Sequence, residues 1–356
     1  MEDSHGRKPL ATLNRDEVMT THQVIAPGVE AVTAPLAAGP ILPRPKPKPK
    51  KISAGNVIGA FLRRVINPLQ LWRAISLQWN RKAHHHTYDD AQLALYSKML
   101  PGEFLHFGYF DQTDILPEET RLADITRAQQ RYADLLLELV GKKEEPVLDV
   151  GCGMGGLSRM LLARGYQPTA LTPDRLQVSH IQASMPQVPV IRTKFECLNP
   201  AEYAHRFGTV YTSESLQYLK LDGALPIMES ILAPGGRWVA CDFFHIHPCE
   251  ESRSGHVWDE FVSRITAAGW KISFQRDITP NILPTLGYIN MWASRFGIPL
   301  IQFGFLRLRR KQPGLHHLIA NSLDLLEAIA QQNIAVIDPV LFASEKRYIM
   351  LVIERA

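Results

Sequence analysis

The stretch that most constrains this chain is Val147-Leu-Asp-Val-Gly-Cys-Gly-Met-Gly-Gly-Leu-Ser158. Val147 to Val150 predict a short buried strand. Gly151, Gly153, Gly155 and Gly156 then predict a turn almost without side chains. From Leu157 the spacing becomes helical, with Leu157, Met160, Leu161 and Ala163 able to share a face and Gly165 as the stop. Strand, glycine turn and helix together form the entry to a nucleotide-type pocket, because glycine lets a ligand approach the main chain closely. A chain built around such a unit is expected to be α/β.

Gly151, Gly153 and Gly156 also satisfy the G-x-G-x-x-G spacing of dinucleotide sites, which alone is a weak signal. Asp149 separates the two readings. An acid just before the first glycine puts negative charge where a pyrophosphate would sit, and suits a cofactor carrying an ammonium group. S-adenosylmethionine has one, together with a sulfonium and no phosphate. The stretch resembles motif I of the class I S-adenosylmethionine-dependent methyltransferases. That resemblance implies a Rossmann-like seven-stranded sheet with helices on both faces, and S-adenosyl-L-methionine as cofactor.

At 356 residues the chain can bury a full core as one large domain or two. The net charge of +4 gives no global case for nucleic acid. Four cysteines (Cys152, Cys197, Cys241 and Cys249) show no C-x-x-C pair, which favours a reduced compartment over a disulfide framework. The start, Met1-Glu-Asp-Ser-His5, lacks the apolar core of a signal peptide, and no run reaches the ~18 apolar residues of a membrane span. The expected location is cytoplasmic, with the inner membrane surface as one place within it.

Residues 31 to 88 hold ten Lys or Arg and no Asp or Glu. Residues 1–53 are expected to form a disordered Pro/Lys-rich tail ending in Pro43-Arg-Pro-Lys-Pro-Lys-Pro-Lys-Lys51. Residues 54–86 read as an amphipathic basic helical segment. Ile58, Phe61, Leu62, Val65, Leu69, Trp72, Ile75 and Trp79 recur at three and four, with arginines between them and a break at Pro68. Such a helix either docks on the catalytic domain or lies on a membrane, so residues 43–82 are a candidate peripheral membrane contact. His84-His85-His86 reads as a solvated linker.

The remainder, 87–356, is expected to be the catalytic domain. Leu105-His-Phe-Gly-Tyr-Phe110 places aromatics on both sides of Gly108, as a segment closing over a ligand or as entry to the core. Residues 117–140 predict a helix, with Leu122, Ile125, Gln129, Tyr132, Leu136 and Leu139 on one face. Gln167–Leu171 predicts the second strand, Phe207–Thr212 the fourth, Leu232–Asp242 a Pro-Gly-Gly turn and the fifth, Trp270–Arg276 the sixth and Lys346–Ile353 the seventh.

A dinucleotide fold expects an acid about 20 residues beyond the glycines to hold the ribose. Here Thr172 stands there, followed by Asp174 and Gln177, any of which could hold a ribose. Phe195-Glu196 could stack on a purine and accept from its exocyclic amine. The Thr172–His180 segment with Phe195-Glu196 is similar to the branch containing cyclopropane-fatty-acid synthases and sterol or tocopherol C-methyltransferases. The resemblance assigns Thr172 and Gln177 to the ribose and Phe195 and Glu196 to the adenine. It reads Leu105–Phe110 as an aromatic lid, with His106 and Tyr109 at the amino-acid end of the cofactor. Asp149, Gly151, Gly153, Gly155 and the strand-end Ser213 complete the expected cofactor set. The cyclopropane synthases hold a bicarbonate base with a Cys, a Glu-His pair and a Tyr. The matching places here are Phe107, Gln217-Tyr218 and Ile282, so the resemblance implies simple methyl transfer without that bicarbonate site.

About seventy residues, 277–345, separate the last two strands and carry Ile282, Leu283, Leu286, Tyr288, Trp292, Phe296, Ile298, Leu300, Phe303 and Phe305, then Arg307-Leu-Arg-Arg-Lys311. They predict a helical lid insertion over an apolar pocket, or else a face for homo-oligomerisation. Catalytic candidates at strand ends are Glu214, Tyr218 and His245. His245-x-His247 has no evident third metal ligand, so no metal is expected. The expected activity is methyl transfer to an apolar or amphiphilic small molecule (a lipid, sterol or isoprenoid), with carbon favoured as acceptor. O- or N-methylation of a polar natural product and a non-catalytic cofactor-binding scaffold are the alternatives.

Overall fold

The computed structural model describes residues 66–79, 102–248 and 254–356. The 1–53 tail, most of 54–86, the histidine run at 84–86 and Glu250 lie outside them. Helix α1 (Pro68–Trp79) leaves Leu69, Trp72 and Ile75 exposed along one side.

The remaining elements build one sheet with helices on both faces. In chain order they are α2 (Leu122–Leu137), β1 (Val147–Val150), α3 (Gly156–Ala163), β2 (Pro168–Leu171), α4 (Arg175–Ser184), β3 (Val190–Ile191), β4 (Phe207–Ser213), α5 (Leu221–Ile231) and β5 (Leu232–His245). Then come β6 (His256–Val257), α6 (Trp258–Ala267), β7 (Trp270–Asp277), α7 (Thr279–Trp292), a π turn (Ala293–Gly297), α8 (Ile298–Lys311), α9 (Pro313–Val336), α10 (Pro339–Glu345) and β8 (Lys346–Arg355).

The strand order is β3-β2-β1-β4-β5-β8-β7, with the two-residue β6 on β5. Strands β1 to β5 run parallel, and β8 is antiparallel to both β5 and β7. This is the Rossmann-like sheet, with helices on both faces, that the glycine stretch leads us to expect. β6 is an addition, so the expected sixth and seventh strands are β7 and β8. β1 lies between β2 and β4, where the order of connections reverses. Ligands of open α/β sheets sit beyond the carboxyl ends of the strands at such a point.

Each sheet face carries its own core. One contains Leu148, Phe195, Phe207, Trp238, Phe244 and Trp270 with helices α5 and α6. The other contains Tyr132, Leu136, Leu161, Tyr211, Cys241, Ile282 and Tyr348 with α2, α3 and α7. Alternation along β5 feeds both, with Trp238 and Ala240 on one face and Val239 and Cys241 on the other. Side chains such as Leu148 and Leu161, both 0% exposed, each stabilise the fold by roughly 1.5–3 kcal/mol through burial.

Two boundaries differ from expectation for local reasons. The helix expected over 117–140 starts at Leu122, because Pro117–Thr120 close a separate turn, with Thr120 N–H donating to the Pro117 carbonyl at 3.3 Å. Asp124 then accepts from Arg121 N–H at 2.8 Å and fixes the new start. The second difference is in α3, where Leu157 and Leu161 share the buried face but Ala163 is exposed, because two residues past Leu161 the helix has turned by about 200°.

Candidate active site

The glycine loop follows directly from β1. Gly151, Gly153 and Gly155 all have positive φ, at +72°, +56° and +90°. A Cβ on Gly151 would stand 2.5 Å from the Cβ of Ser215, so the loop and the end of β4 touch backbone to side chain. Ser215 Oγ in turn donates to the Val150 carbonyl at 2.6 Å. Gly155 serves a different contact. Its missing Cβ makes room for Met185 and Ile181, so it seats α4 against the loop instead of facing a ligand.

A strap, residues 102–110, crosses the loop. Glu103 holds Arg159 of α3 through two bonds of 2.5 and 2.6 Å and also contacts His180, and this pairing holds its carboxyl below the usual range. Phe104 occupies the space a Cβ would need on Gly156, and Leu105 lies against Gly153. Farther along, Gly108 N–H donates to Thr285 Oγ1 at 3.0 Å, Tyr109 N–H to the Ala128 carbonyl and Phe110 N–H to the Asn281 carbonyl. The aromatic segment is thus wedged between α2 and α7. Tyr109 is buried and its hydroxyl accepts from Arg276 Nη2.

Acceptors without a full set of partners stand at two places here, Asp149 at the end of β1, and His106 with Gln129 where the strap meets α2. Burial raises the Asp149 carboxyl to about 6 against the pull of its bonds from Ser158, whose Oγ donates at 2.7 Å. His106 Nδ1 lies 2.7 Å from the Phe107 carbonyl, which can only accept, so Nδ1 carries the proton. Burial pushes the His106 pKa down to about 4, so the ring is neutral near pH 7 and its Nε2 is an acceptor. That Nε2 has no partner, and neither has Gln129 Oε1, although Gln129 Nε2 donates to the His106 carbonyl at 2.7 Å. Buried acceptors without partners want a donor, and a carboxyl raised by desolvation wants a positive charge. Both demands suit an ammonium group with three N–H bonds. Gln129 was read from sequence only as a residue on the buried face of α2, since helical spacing cannot tell a core amide from one that braces a strap.

Thr172 and Gln177, which the resemblance assigned to one site, are brought together. Both are buried, their side chains bond at 2.5 Å, and Asp174 caps α4 by accepting from Gln177 N–H at 2.9 Å. Phe195 is 2% exposed and packs in the core with Leu148 and Leu171, so its ring has no open face for stacking in this structure. Glu196 is half-buried and accepts from Lys220 N–H at 3.0 Å.

Beyond β4 lies a second cluster. Glu214 has φ +52°, a backbone region that costs roughly 1–3 kcal/mol outside glycine and is held here by its N–H bond to the Cys241 carbonyl. Its Oε1 accepts from both Phe107 N–H at 2.8 Å and the Tyr348 hydroxyl at 2.7 Å. Burial pushes the Glu214 carboxyl up to about 7, and those two bonds oppose the shift. Tyr132 joins the chain, 2.9 Å from Ser213 Oγ and 3.3 Å from the Tyr348 hydroxyl. Burial, then the neighbouring Glu214 charge, keep the Tyr348 phenol protonated. Asp242, also buried and raised, accepts from Gln217 N–H at 2.9 Å.

The catalytic candidates separate in space. Glu214 is half-buried in this cluster. His245 is buried on the same sheet face as Cys241, and its Nε2 lies 3.1 Å from the Ser254 carbonyl. Tyr218 stands at the surface, 70% exposed, because the turn Leu216–Tyr218 points it away from the cluster. A phenol standing in water is poorly placed to steer a reaction, and the tyrosines at the site are Tyr132 and Tyr348. Neither was singled out for chemistry from the sequence, where Tyr132 read as a helix-face residue and Tyr348 as part of a strand. The three positions matched to the bicarbonate site do lack acid and thiol, yet one of them, Phe107, stands beside an acid, and a thiol lies close by. Phe107 donates to the Glu214 carboxyl, and the Cys241 thiol lies within reach of Tyr132.

Comparison with known proteins agrees with this geometry. A methyltransferase domain model matches residues 147–236. A probable tocopherol O-methyltransferase, chloroplastic, of Oryza sativa subsp. japonica is 28% identical over 166 residues, 42% of this chain and 44% of that protein. The chain therefore spans less than half the length of that curated relative. Among solved structures, the geranyl diphosphate C-methyltransferase from Streptomyces coelicolor A3(2), in complex with Mg2+, geranyl diphosphate and S-adenosyl-L-homocysteine, is similar at 14% identity. Its TM-score is 0.53, and 77% of this chain covers 96% of that one. A cyclopropane synthase from Mycobacterium tuberculosis gives 15% identity, a TM-score of 0.52 and coverage of 75% and 95%. At these identities the two structures speak for the fold alone, while the domain match falls on the strand, glycine loop and Pro-Gly-Gly turn. Residues 147–236 therefore carry a methyltransferase domain, set in a chain with the fold of the S-adenosylmethionine-dependent methyltransferases.

Proposed function

We propose that the protein transfers a methyl group from S-adenosyl-L-methionine to an apolar or amphiphilic small molecule of lipid, sterol or isoprenoid type, with carbon as the acceptor. The observation that carries this reading is the Glu214 carboxyl, raised to about 7 and held among Phe107, Tyr132 and Tyr348. The cofactor, when bound, supplies an electrophilic methyl on a sulfonium. Asp149, His106 Nε2 and Gln129 Oε1 would accept from its ammonium, Thr172 and Gln177 would meet its ribose, and Glu196 its adenine. Gly151 and Gly153, at positive φ, would turn the main chain around it, and the strap would exclude water.

Both bonds to Glu214 fall on Oε1, so Oε2 is the oxygen that would take a proton from the methylated acceptor. A carboxyl near 7 is matched to such work at neutral pH. Aromatic faces beside a carboxylate also suit the cation that forms when an alkene carbon is methylated. One base serves one proton, which fits methyl transfer without ring closure. α7 supports a roofing role for the first part of the 277–345 insertion, since Ile282 and Leu286 pack in the same cluster as Tyr348.

The similarity to a tocopherol O-methyltransferase favours a second reading, oxygen as acceptor, in which Glu214 takes the hydroxyl proton instead. Incubating the protein with methyl-labelled cofactor and separated lipid and aqueous extracts tests both. Label in a lipid product that survives ether cleavage supports carbon, and label lost on ether cleavage supports oxygen. Label only in aqueous products would sink the apolar-acceptor reading. The contact of residues 43–82 with a membrane is a separate proposal, tested by deleting them and following vesicle co-sedimentation.

A further inference from the structure

The insertion between β7 and β8 divides into two unlike halves. α7 buries Ile282, Pro284, Thr285 and Leu286, whereas α8 buries none of its fourteen residues. Along α8, Leu300, Phe303 and Leu306 recur every third residue and so share a face, at 70%, 56% and 61% exposure. Arg307, Arg310 and Lys311 extend that face toward the helix end, and Arg309 flanks it. α9 packs beside α8, joined by the Gln302–Glu327 bond of 2.6 Å. It adds an exposed row of its own in Leu325, Ile329 and Val336, with Leu326 alongside. The chain then bends by 62° into α10, where Val340 is 79% exposed.

Apolar rows ending in a cationic cluster match one partner by charge and by polarity. A bilayer with anionic headgroups offers an apolar layer and, just above it, negative charge. A second copy of the chain in a symmetric dimer would instead present the same patch, setting four cations against little more than Asp324. Among the described residues no single helix is long and apolar enough to cross a membrane, and only α9 with α10, bent by 62°, pass that test of length and composition together.

We propose that the outer face of the α8–α9 hairpin docks on an anionic lipid bilayer. Leu300, Phe303, Leu306, Leu325 and Ile329 enter the headgroup–acyl boundary, and Arg307, Arg310 and Lys311 meet the headgroups. This stands apart from the 43–82 segment and from the methyl-transfer reading, because binding needs neither cofactor nor turnover.

The test uses the full chain with vesicles of phosphatidylcholine, alone and mixed with phosphatidylglycerol. Co-sedimentation is expected with the mixed vesicles and should weaken as salt is raised. The triple variant Arg307→Glu, Arg310→Glu, Lys311→Glu should lose about a hundredfold in partitioning, at roughly 1 kcal/mol for each basic residue. Leu300→Asp with Phe303→Asp should lose a comparable amount. All five positions are solvent-exposed, and unchanged cofactor affinity shows that the variants are folded. Hydrogen exchange of the unaltered chain gives a readout independent of any variant, with vesicle-dependent protection expected over 298–311 and 323–341. The proposal is overturned if the unaltered chain ignores the mixed vesicles, if the folded variants bind within twofold of it, or if protection falls elsewhere. It is equally overturned if, without vesicles, the chain sediments as a dimer that Leu300→Asp with Phe303→Asp dissociates, since a second copy would then cover the face.

Discussion

The strap over the glycine loop and the α8–α9 hairpin are both made of helix or loop rich in apolar side chains, yet their fates are opposite. In the strap, Tyr109 and Phe110 are buried, and Glu103, Gly108, Tyr109, Phe110 and the His106 carbonyl bond to α2, α3 or α7, while Phe107 N–H bonds to Glu214. In the hairpin, Leu300, Phe303 and Leu306 face solvent and four basic side chains cluster at one end. The first region reads as preorganised to hold a ligand, and the second as a surface that meets something external. Apolar content alone does not reveal the role of a segment. What does is whether its polar groups find partners within the domain.

The comparison is broken most directly at Glu214. Glu214→Gln keeps the acceptor for Phe107 N–H and Tyr348 but cannot take a proton, so turnover should fall by about 10²–10⁴ while cofactor affinity changes less than threefold. Steady-state kinetics beside calorimetric titration would show it, and turnover within threefold of the native chain would remove Glu214 from the chemistry. Next in size is Leu161→Ala beneath the loop. Leu161 is 0% exposed, so denaturant unfolding should show a loss of about 2–5 kcal/mol.

The pH dependence comes third. Glu214 is raised from 4.5 to about 7 and Asp149 from 3.8 to about 6. Between these values the folded chain binds more protons than the unfolded one, so stability is greatest at the acid end and falls as pH rises from about 4 to about 7. The Glu214 share is on the order of 3 kcal/mol, and Glu214→Gln should flatten the upper part of the decline. Cofactor affinity should run the other way. It should rise as Asp149 ionises through about pH 6, and Asp149→Asn should abolish that rise. A smaller effect is expected for Gly151→Ala. The positive φ and the 2.5 Å approach to Ser215 predict a loss of about 1–3 kcal/mol, readable as weaker cofactor binding. Smallest of all is Leu300→Ala on the hairpin, expected to change stability by no more than about 0.5 kcal/mol. A large loss there would mean that α8 carries packing within the domain.

Much of the fold was legible because its signals are local. Val147, Leu148 and Val150 around Asp149, before a run of glycines, specify a strand and a turn, and Thr172 and Gln177, which the resemblance assigned to one site, bond to each other across the start of α4. Residues 277–345 were legible as helices from their apolar content. Their division into a buried α7 and an exposed α8–α9 hairpin was not, since that depends on which neighbours the domain happens to supply. Phe195 shows the same limit, because an aromatic beside a ligand and an aromatic in the core have the same local pattern.

The sequence by itself determined the strand-loop-helix unit, its acid at Asp149 and hence the kind of cofactor the loop suits, because backbone conformation and charge are written in consecutive residues. Only the tertiary structure decided that Glu214 is held half-buried with a raised pKa, that Tyr132 and Tyr348 from opposite ends of the domain join it, and that Tyr218 stands outside. Burial and hydrogen-bond partnership belong to groups far apart in the chain. Glu214 and Tyr348 are separated by 134 positions, and only the closing of β8 against β5 brings them within 2.7 Å.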